Sequence, residues 1–302
     1  MGIKTVALAG ASGHMGEAIL HALLSSNKFQ ITILKRSISK STFPAAAKIQ
    51  DVDFNSVSSL TNALTGQDAL ISCMPFEAIA NQTLLIDAAI SANVKRFIPS
   101  NFGSDLMNET LRTFPAFHDR VKIQKYLEEK TPRTELTYTT IVNGVVVDYG
   151  LRKGAVFTAA KREAKLFDGG EKTVSFTTLA TIGKAVVGVL EHPLETANRA
   201  VYVQDTATTQ KKLLELAQRL TAGETWKVDG VDTAMFKARS DAAIKNGASP
   251  NEFLVRIGYI VRACYSGECG ALFEHLDNGL LGIEEMSEEE IEVMMAGILA
   301  EN

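Results

Sequence analysis

Val6-Ala7-Leu8-Ala9-Gly10-Ala11-Ser12-Gly13-His14-Met15-Gly16 is the stretch on which the fold turns. Four apolar residues run into three glycines spaced three apart, and Glu17 to Leu24 then repeats apolar positions at helical spacing. The pattern predicts a buried strand, a tight turn and a helix, the opening of a βαβ unit. Such a turn presents unpaired backbone N–H groups at a helix N-terminus, where the partial positive charge favours a diphosphate. Gly10 would make the tight turn, Gly13 would let the backbone approach phosphate, and Gly16 would let helix and strand pack closely. Ser12, Gly13, His14, Met15 and Gly16 are therefore expected against the nucleotide, with His14 on the phosphate or solvent side. The competing reading is a tight turn without a ligand.

Strand and helix patterns continue to alternate downstream. Phe29 to Leu34, Ile49 to Phe54, Asp68 to Met74 and Arg96 to Ser100 read as strands, the last two as continuous apolar runs. Ser58 to Thr65 and Ala78 to Ala92 read as the intervening helices, the first closed by Gly66. Buried parallel strands with helices between them predict an α/β class, a Rossmann-like doubly wound parallel sheet. Such a sheet binds its ligand at the carboxyl ends of its strands. After Glu135 to Val147, which is β-rich, the chain offers a helix at Thr181 to Leu190 and a strand at Ala200 to Val203. Helices are expected over 210–221, 232–246 and 250–264 and near 287–299. This predicts a smaller, mostly helical C-terminal substrate region. The expected division is 1–155 for the nucleotide, with later returns near 175–205, and 156–302 for the substrate.

The 302 residues are 46% hydrophobic and 22% charged, ordinary values for a globular protein with a large core. A net charge of −4 with scattered Lys and Arg gives no field for nucleic acid or an acidic membrane. No apolar run has membrane-spanning length, and the one at the start serves as a strand rather than a leader, so a cytoplasmic protein is expected. The three cysteines, Cys73, Cys264 and Cys269, lack metal-ligand spacing and are expected as free thiols. The histidines likewise show no metal pattern.

Arg36 ends the second predicted strand, where a dinucleotide fold meets the adenosine ribose. A carboxylate there would suit NAD; Lys35-Arg36, with Lys40 nearby, suits the 2′-phosphate of NADP. Ser72 ends the fourth strand, beside the expected ribose and nicotinamide. Cys73 next to it is read as a small buried residue rather than a nucleophile.

The segment Arg96-Phe97-Ile98-Pro99-Ser100-Asn101-Phe102-Gly103-Ser104-Asp105, the glycine turn and Arg36 together resemble the NmrA-like atypical short-chain dehydrogenases, in their isoflavone reductase-like branch. Asn143 to Leu151 and Phe273 to Gly282 resemble fungal members. The resemblance spans nearly the whole chain and implies an NADPH-binding domain, a small substrate domain and hydride transfer to phenylpropanoid-type compounds. It places Asn101 and Phe102 beside the cofactor, Asn101 standing where the family usually has Glu. It also implies a proton-handling lysine on the following helix, a slot that Arg120 fills here. Lys122 is two residues away, roughly 200° around a helix, and is expected to face solvent. Arg120 could hold a substrate carbonyl, but arginine is a poor proton shuttle. His118, two residues earlier, is the other catalytic candidate, since histidine is the side-chain type suited to proton exchange. Tyr126 and Lys130 form a YxxxK pair at the far end of the helix from the expected cofactor. Asp148 and Tyr149 follow a strand that approaches the substrate cleft and could orient substrate or serve the fold.

The leading expectation is an NADPH-dependent reductase of a small aromatic or secondary-metabolite substrate. One alternative is an NADP-binding redox-sensing regulator that meets a protein partner without turnover. Another is a non-redox cyclase or isomerase that reuses the cofactor cleft.

Overall fold

A computed structural model describes residues 2–301. The opening run lies in β1 (Thr5–Ala9), buried from Val6 onward, and the glycine turn delivers the chain into α1 (His14–Ser26). The next elements are β2 (Gln30–Lys35), β3 (Lys48–Asp51), α2 (Val57–Leu64), β4 (Ala69–Ser72), α3 (Gln82–Ser91) and β5 (Arg96–Ile98). A short α4 (Glu109–Arg112) precedes α5 (His118–Lys130) and β6 (Thr137–Val142). The rest comprises β7 (Val145–Val146), α6 (Val147–Lys153), β8 (Glu163–Phe167), β9 (Thr173–Thr177), α7 (Leu179–Glu191), β10 (Arg199–Tyr202) and β11 (Thr206–Thr209). It ends with α8 (Gln210–Leu220), β12 (Lys227–Val231), α9 (Thr233–Lys245), α10 (Phe253–Tyr265) and α11 (Glu288–Ala300).

Seven strands form one sheet in the order β10-β6-β5-β4-β1-β2-β3, and every pairing is parallel. The strand order reverses between β1 and β4, whose register aligns Ala9 with Ser72. That reversal is the switch point where sheets of this kind open a crevice. The side chains of β1 explain why both faces must be covered: Val6 and Leu8 enter a core with Ile19 and Leu23 of α1 and Val186 and Val189 of α7. Ala7 and Ala9 enter another with Leu60, Leu85 and Ile123 on α2, α3 and α5. A strand buried on both faces loses alternation, which is why its sequence reads as a run.

The remaining elements build a smaller lobe. It is not only helical: β9 pairs with β11 antiparallel and with β7 parallel, and β8 pairs with β12. Strand β8 alternates exposed Glu163 and Lys165 with buried Ala164 and half-buried Leu166 before ending on buried Phe167, a pattern too short and too charged to stand out in the sequence. Helices α9 and α10 pack on each other, and Tyr259 of α10 joins Phe114 and Phe117 in a core just before α5. Thus α10 is anchored beside the start of α5.

Several boundaries move. The helix expected over 78–92 divides into a 3-10 segment, Phe76–Asn81, and α3. Strand β5 stops at Ile98, because Pro99 cannot donate to a ladder. Arg96, expected in a buried apolar strand, is itself buried, its guanidinium donating to the hydroxyls of Thr137, Thr139 and Thr196 and to the Pro193 carbonyl.

Candidate nucleotide and substrate site

Gly10 sits at φ +82°, and a Cβ there would come within 2.3 Å of the Cys73 carbonyl oxygen. A Cβ on Gly16 would meet the Gly10 carbonyl oxygen at 2.2 Å, so both glycines are demanded by the protein's own backbone. Gly13 differs. The nearest atom to a Cβ there is 3.8 Å away, in ordinary contact range, and the residue is exposed. Nothing internal requires glycine at 13; an approach from outside would. Gly13 is also the N-cap of α1 and supplies no side-chain cap, so the first-turn N–H groups face out of the helix end. A diphosphate fits this cradle.

The strand ends then follow in a row. Beyond β2, Arg36 is exposed and forms no ion pair among the described residues, as does Lys40. Lys35 is committed: its ammonium donates to the Ser39 carbonyl at 3.0 Å and lies 3.6 Å from Asp51. Of the two basic residues ending β2, Arg36 is the one free for a ligand anion. On the other side of β1, Ser72 ends β4 and Asn101 follows β5, both buried. The Ser72 Oγ and both amide atoms of Asn101 have no hydrogen-bond partner. Phe102, half-buried, packs against the core beneath.

Six buried polar side-chain atoms lack a partner among the described residues, and five belong to Ser72, Asn101, Asn143 and Arg120. An unsatisfied buried group costs about 1–3 kcal/mol, so their concentration at the strand ends marks a place built to meet a polar ligand. Asn143 stands out in the sequence only within the stretch that resembles fungal family members. It follows β6 directly, its N–H donates to the Gly103 carbonyl, and its own carbonyl accepts from Thr177. An Asn-Gly pair at the end of a buried strand was the available signal.

Arg120 occupies the first turn of α5, its guanidinium carbon 4.1 Å from the centroid of the Phe76 ring. Burial, and then repulsion from Arg256, pull its pKa down to about 10. It remains a cation at neutral pH, able to donate hydrogen bonds but not to exchange protons there. His118 is exposed at the first position of α5, and the two-residue offset turns it roughly 200° from Arg120. The same offset separates Lys122, which is 77% exposed and lies 3.6 Å from Asp119. His118 and Arg120 therefore do not share a face of the helix.

The remaining candidates have other partners. The Tyr126 hydroxyl donates to Asp87 at 2.6 Å, and burial with that carboxylate pushes its pKa up to about 12. A tyrosine activated for proton transfer would be shifted the other way. Burial raises the Cys73 thiol far above its ordinary range, so it holds no thiolate at neutral pH. All three cysteines are free thiols. Asp148 accepts from the N–H groups of Leu179 and Tyr149, which ties α6 to α7. The Tyr149 ring lies 5.1 Å from that of His14, joining the glycine turn to the smaller lobe. Among the described residues, no cluster of three His, Cys, Asp or Glu side chains is placed to hold a metal, and no helix is long and apolar enough to cross a membrane.

A sequence model of the NmrA-like family matches residues 3–245. Oxidoreductase poxI of Penicillium oxalicum is 36% identical over 299 residues, covering 94% of this chain and 91% of its own. The isoflavone reductase homolog IRL of Zea mays is 28% identical, over 86% of this chain and 82% of its own. Among solved structures, the binary complex of leucoanthocyanidin reductase with NADPH from Vitis vinifera superposes with a TM-score of 0.77 at 18% identity. It covers 98% of this chain and 99% of that one, a likeness of fold.

Proposed function

The chain belongs to the NmrA-like family, and from that premise we propose that it is an NADPH-dependent reductase of a small aromatic or otherwise conjugated molecule. The observation that carries the reading is the row along the sheet edge: uncapped α1 N-terminus, free Arg36, and the unpartnered side-chain atoms of Ser72, Asn101 and Asn143, the last at its Oδ1 only. The names of the relatives, an oxidoreductase and an isoflavone reductase homolog, support the reaction class.

In this reading residues 1–155, with α7 and β10, hold the nucleotide, although β7 and α6 within that span pack into the smaller lobe, and 156–302 otherwise shape the substrate cleft. The α1 N-terminus, with Gly10, Ser12, Gly13, His14, Met15 and Gly16, takes the diphosphate. Arg36, helped by Lys40, takes the 2′-phosphate and so selects NADP over NAD. Ser72, Asn101 and Phe102 line the nicotinamide half. Bound NADPH supplies a hydride. Arg120 donates hydrogen bonds to the oxygen on which charge develops, inside a site where burial strengthens them. Because Arg120 keeps its proton at neutral pH and His118 faces away from it on α5, the proton that completes the reduction comes from water.

The test is saturable NADPH binding, followed by NADPH oxidation across a panel of aromatic enones and ketones. Arg120 in a family slot for lysine favours one second reading, an NADP-binding regulator. Binding without oxidation across the panel would select it.

A further inference from the structure

We propose that the molecule received at this site carries a carboxylate, held jointly by Arg120 of α5 and Arg256 of α10; the inference rests on the reductase reading for what happens next, not for the binding itself. Arg256 comes from the smaller lobe, yet its guanidinium carbon lies 4.0 Å from the centroid of the same Phe76 ring that Arg120 covers at 4.1 Å. The two cations therefore stand no more than about 8 Å apart. The packing of Tyr259 against Phe114 and Phe117 fixes this approach, since it seats α10 beside the start of α5.

Charge at this spot is unbalanced. Arg256, its side chain 12% exposed, has one carboxylate, the exposed Glu77 at 3.3 Å, and also donates to the Asn251 carbonyl. Among the described residues Arg120 has no carboxylate partner and makes no side-chain hydrogen bond; its Nε is buried and unpartnered. Two half-buried cations with one surface carboxylate between them disfavour each other, and an aromatic face offsets only part of that. A ligand carboxylate restores the balance, because the guanidinium fork presents paired N–H donors to two oxygens. A neutral carbonyl alone answers one donor and leaves the charge excess in place, whereas the five N–H donors of a guanidinium let Arg120 meet both a carboxylate and the reacting carbonyl oxygen of one ligand. In the reductase reading the phosphates of the nucleotide lie across β1, toward α1 and Arg36, so they do not supply this anion.

Cinnamate and its methyl ester form the probe pair, titrated calorimetrically into the protein with saturating NADP+ and again without nucleotide. The acid should bind at least about tenfold more tightly than the ester. Arg256→Gln and Arg120→Gln should each abolish most of that preference. Glu77→Gln, which frees Arg256 from its surface partner, should tighten cinnamate binding severalfold, a gain that a damaged fold would not give. Equal affinities, no measurable binding of cinnamate, or a preference that survives both arginine substitutions would overturn the proposal. Failure of the reductase reading shows elsewhere, as absence of NADPH binding, and leaves the acid-to-ester comparison readable in the nucleotide-free titration.

Discussion

The carbonyl oxygen of Cys73 lies 2.3 Å from where a Cβ on Gly10 would stand, so the turn after β1 and the end of β4 meet backbone to backbone. Gly13, three residues on, meets nothing of the kind. The two glycines should therefore fail in different ways.

Gly10→Ala must place a side chain at φ +82° and displace β4, and is expected to lose more than about 2 kcal/mol from left-handed strain and the clash. Gly13→Ala should stay within about 0.5 kcal/mol of the parent in denaturant unfolding. It should nonetheless bind NADPH at least about tenfold more weakly, because the new methyl occupies the phosphate side. Unfolding curves and nucleotide titrations on the two variants check both halves.

In the proposed mechanism the Arg120 guanidinium donates hydrogen bonds to a developing oxyanion. Arg120→Ala should lower kcat/KM by about 10²–10³ with NADPH affinity nearly unchanged. Arg120→Lys restores the residue type of the family slot and should recover part of the loss. Steady-state kinetics with any aromatic substrate that is turned over would read this; an Arg120→Ala enzyme of full activity removes Arg120 from the mechanism.

Arg96 bridges β5, β6 and the connection from α7 to β10 through three threonine hydroxyls and the Pro193 carbonyl. Its acceptors are all neutral, and burial lowers its pKa to about 10. Arg96→Ala should cost about 3 kcal/mol, since it opens a cavity and strands buried oxygens. The bridge lies at the opposite end of β5 from Asn101, so NADPH affinity of the folded variant should be unaltered.

Asp68 ties the start of β4 to the start of β1, accepting from the N–H groups of Lys4 and Thr5. Burial pulls its pKa upward, but the Lys95 ammonium at 2.6 Å and these backbone donors outweigh it and hold the carboxyl at about 2. A depressed folded-state pKa means stability fully present above the unfolded value, near 3.8, and lost as pH falls toward 2. With Asp68 partly open to solvent, the contribution is about 1 kcal/mol. Asp68→Asn should accordingly flatten the fall in stability between about pH 4 and pH 2, measured by urea unfolding.

The sheet was legible because burial on both faces writes itself into the sequence as apolar runs such as Val6 to Ala9 and Ala69 to Ile71. The placement of Gly10, Arg36 and Ser72 at the ends of successive strands, with Asn101 just beyond β5, followed from local units, whereas the strand order is a property of the folded sheet alone. The smaller lobe was only half legible: its helices carry amphipathic spacing, whereas its strands are short, β8 and β12 partly charged and β9 and β11 rich in threonine. Phe76 and Arg256 gave no signal at all. Their meeting with Arg120 depends on how α10 docks beside α5, a relation between distant segments that no local pattern encodes.

The central claim, that the strand-end row holds NADPH through the glycine turn and Arg36, is tested most directly by titrating the unmodified protein with NADPH and NADH. NADPH should bind at least about tenfold more tightly, and Arg36→Ala should erase the difference by weakening NADPH alone. Equal affinity for the two nucleotides, or binding of neither, would contradict it.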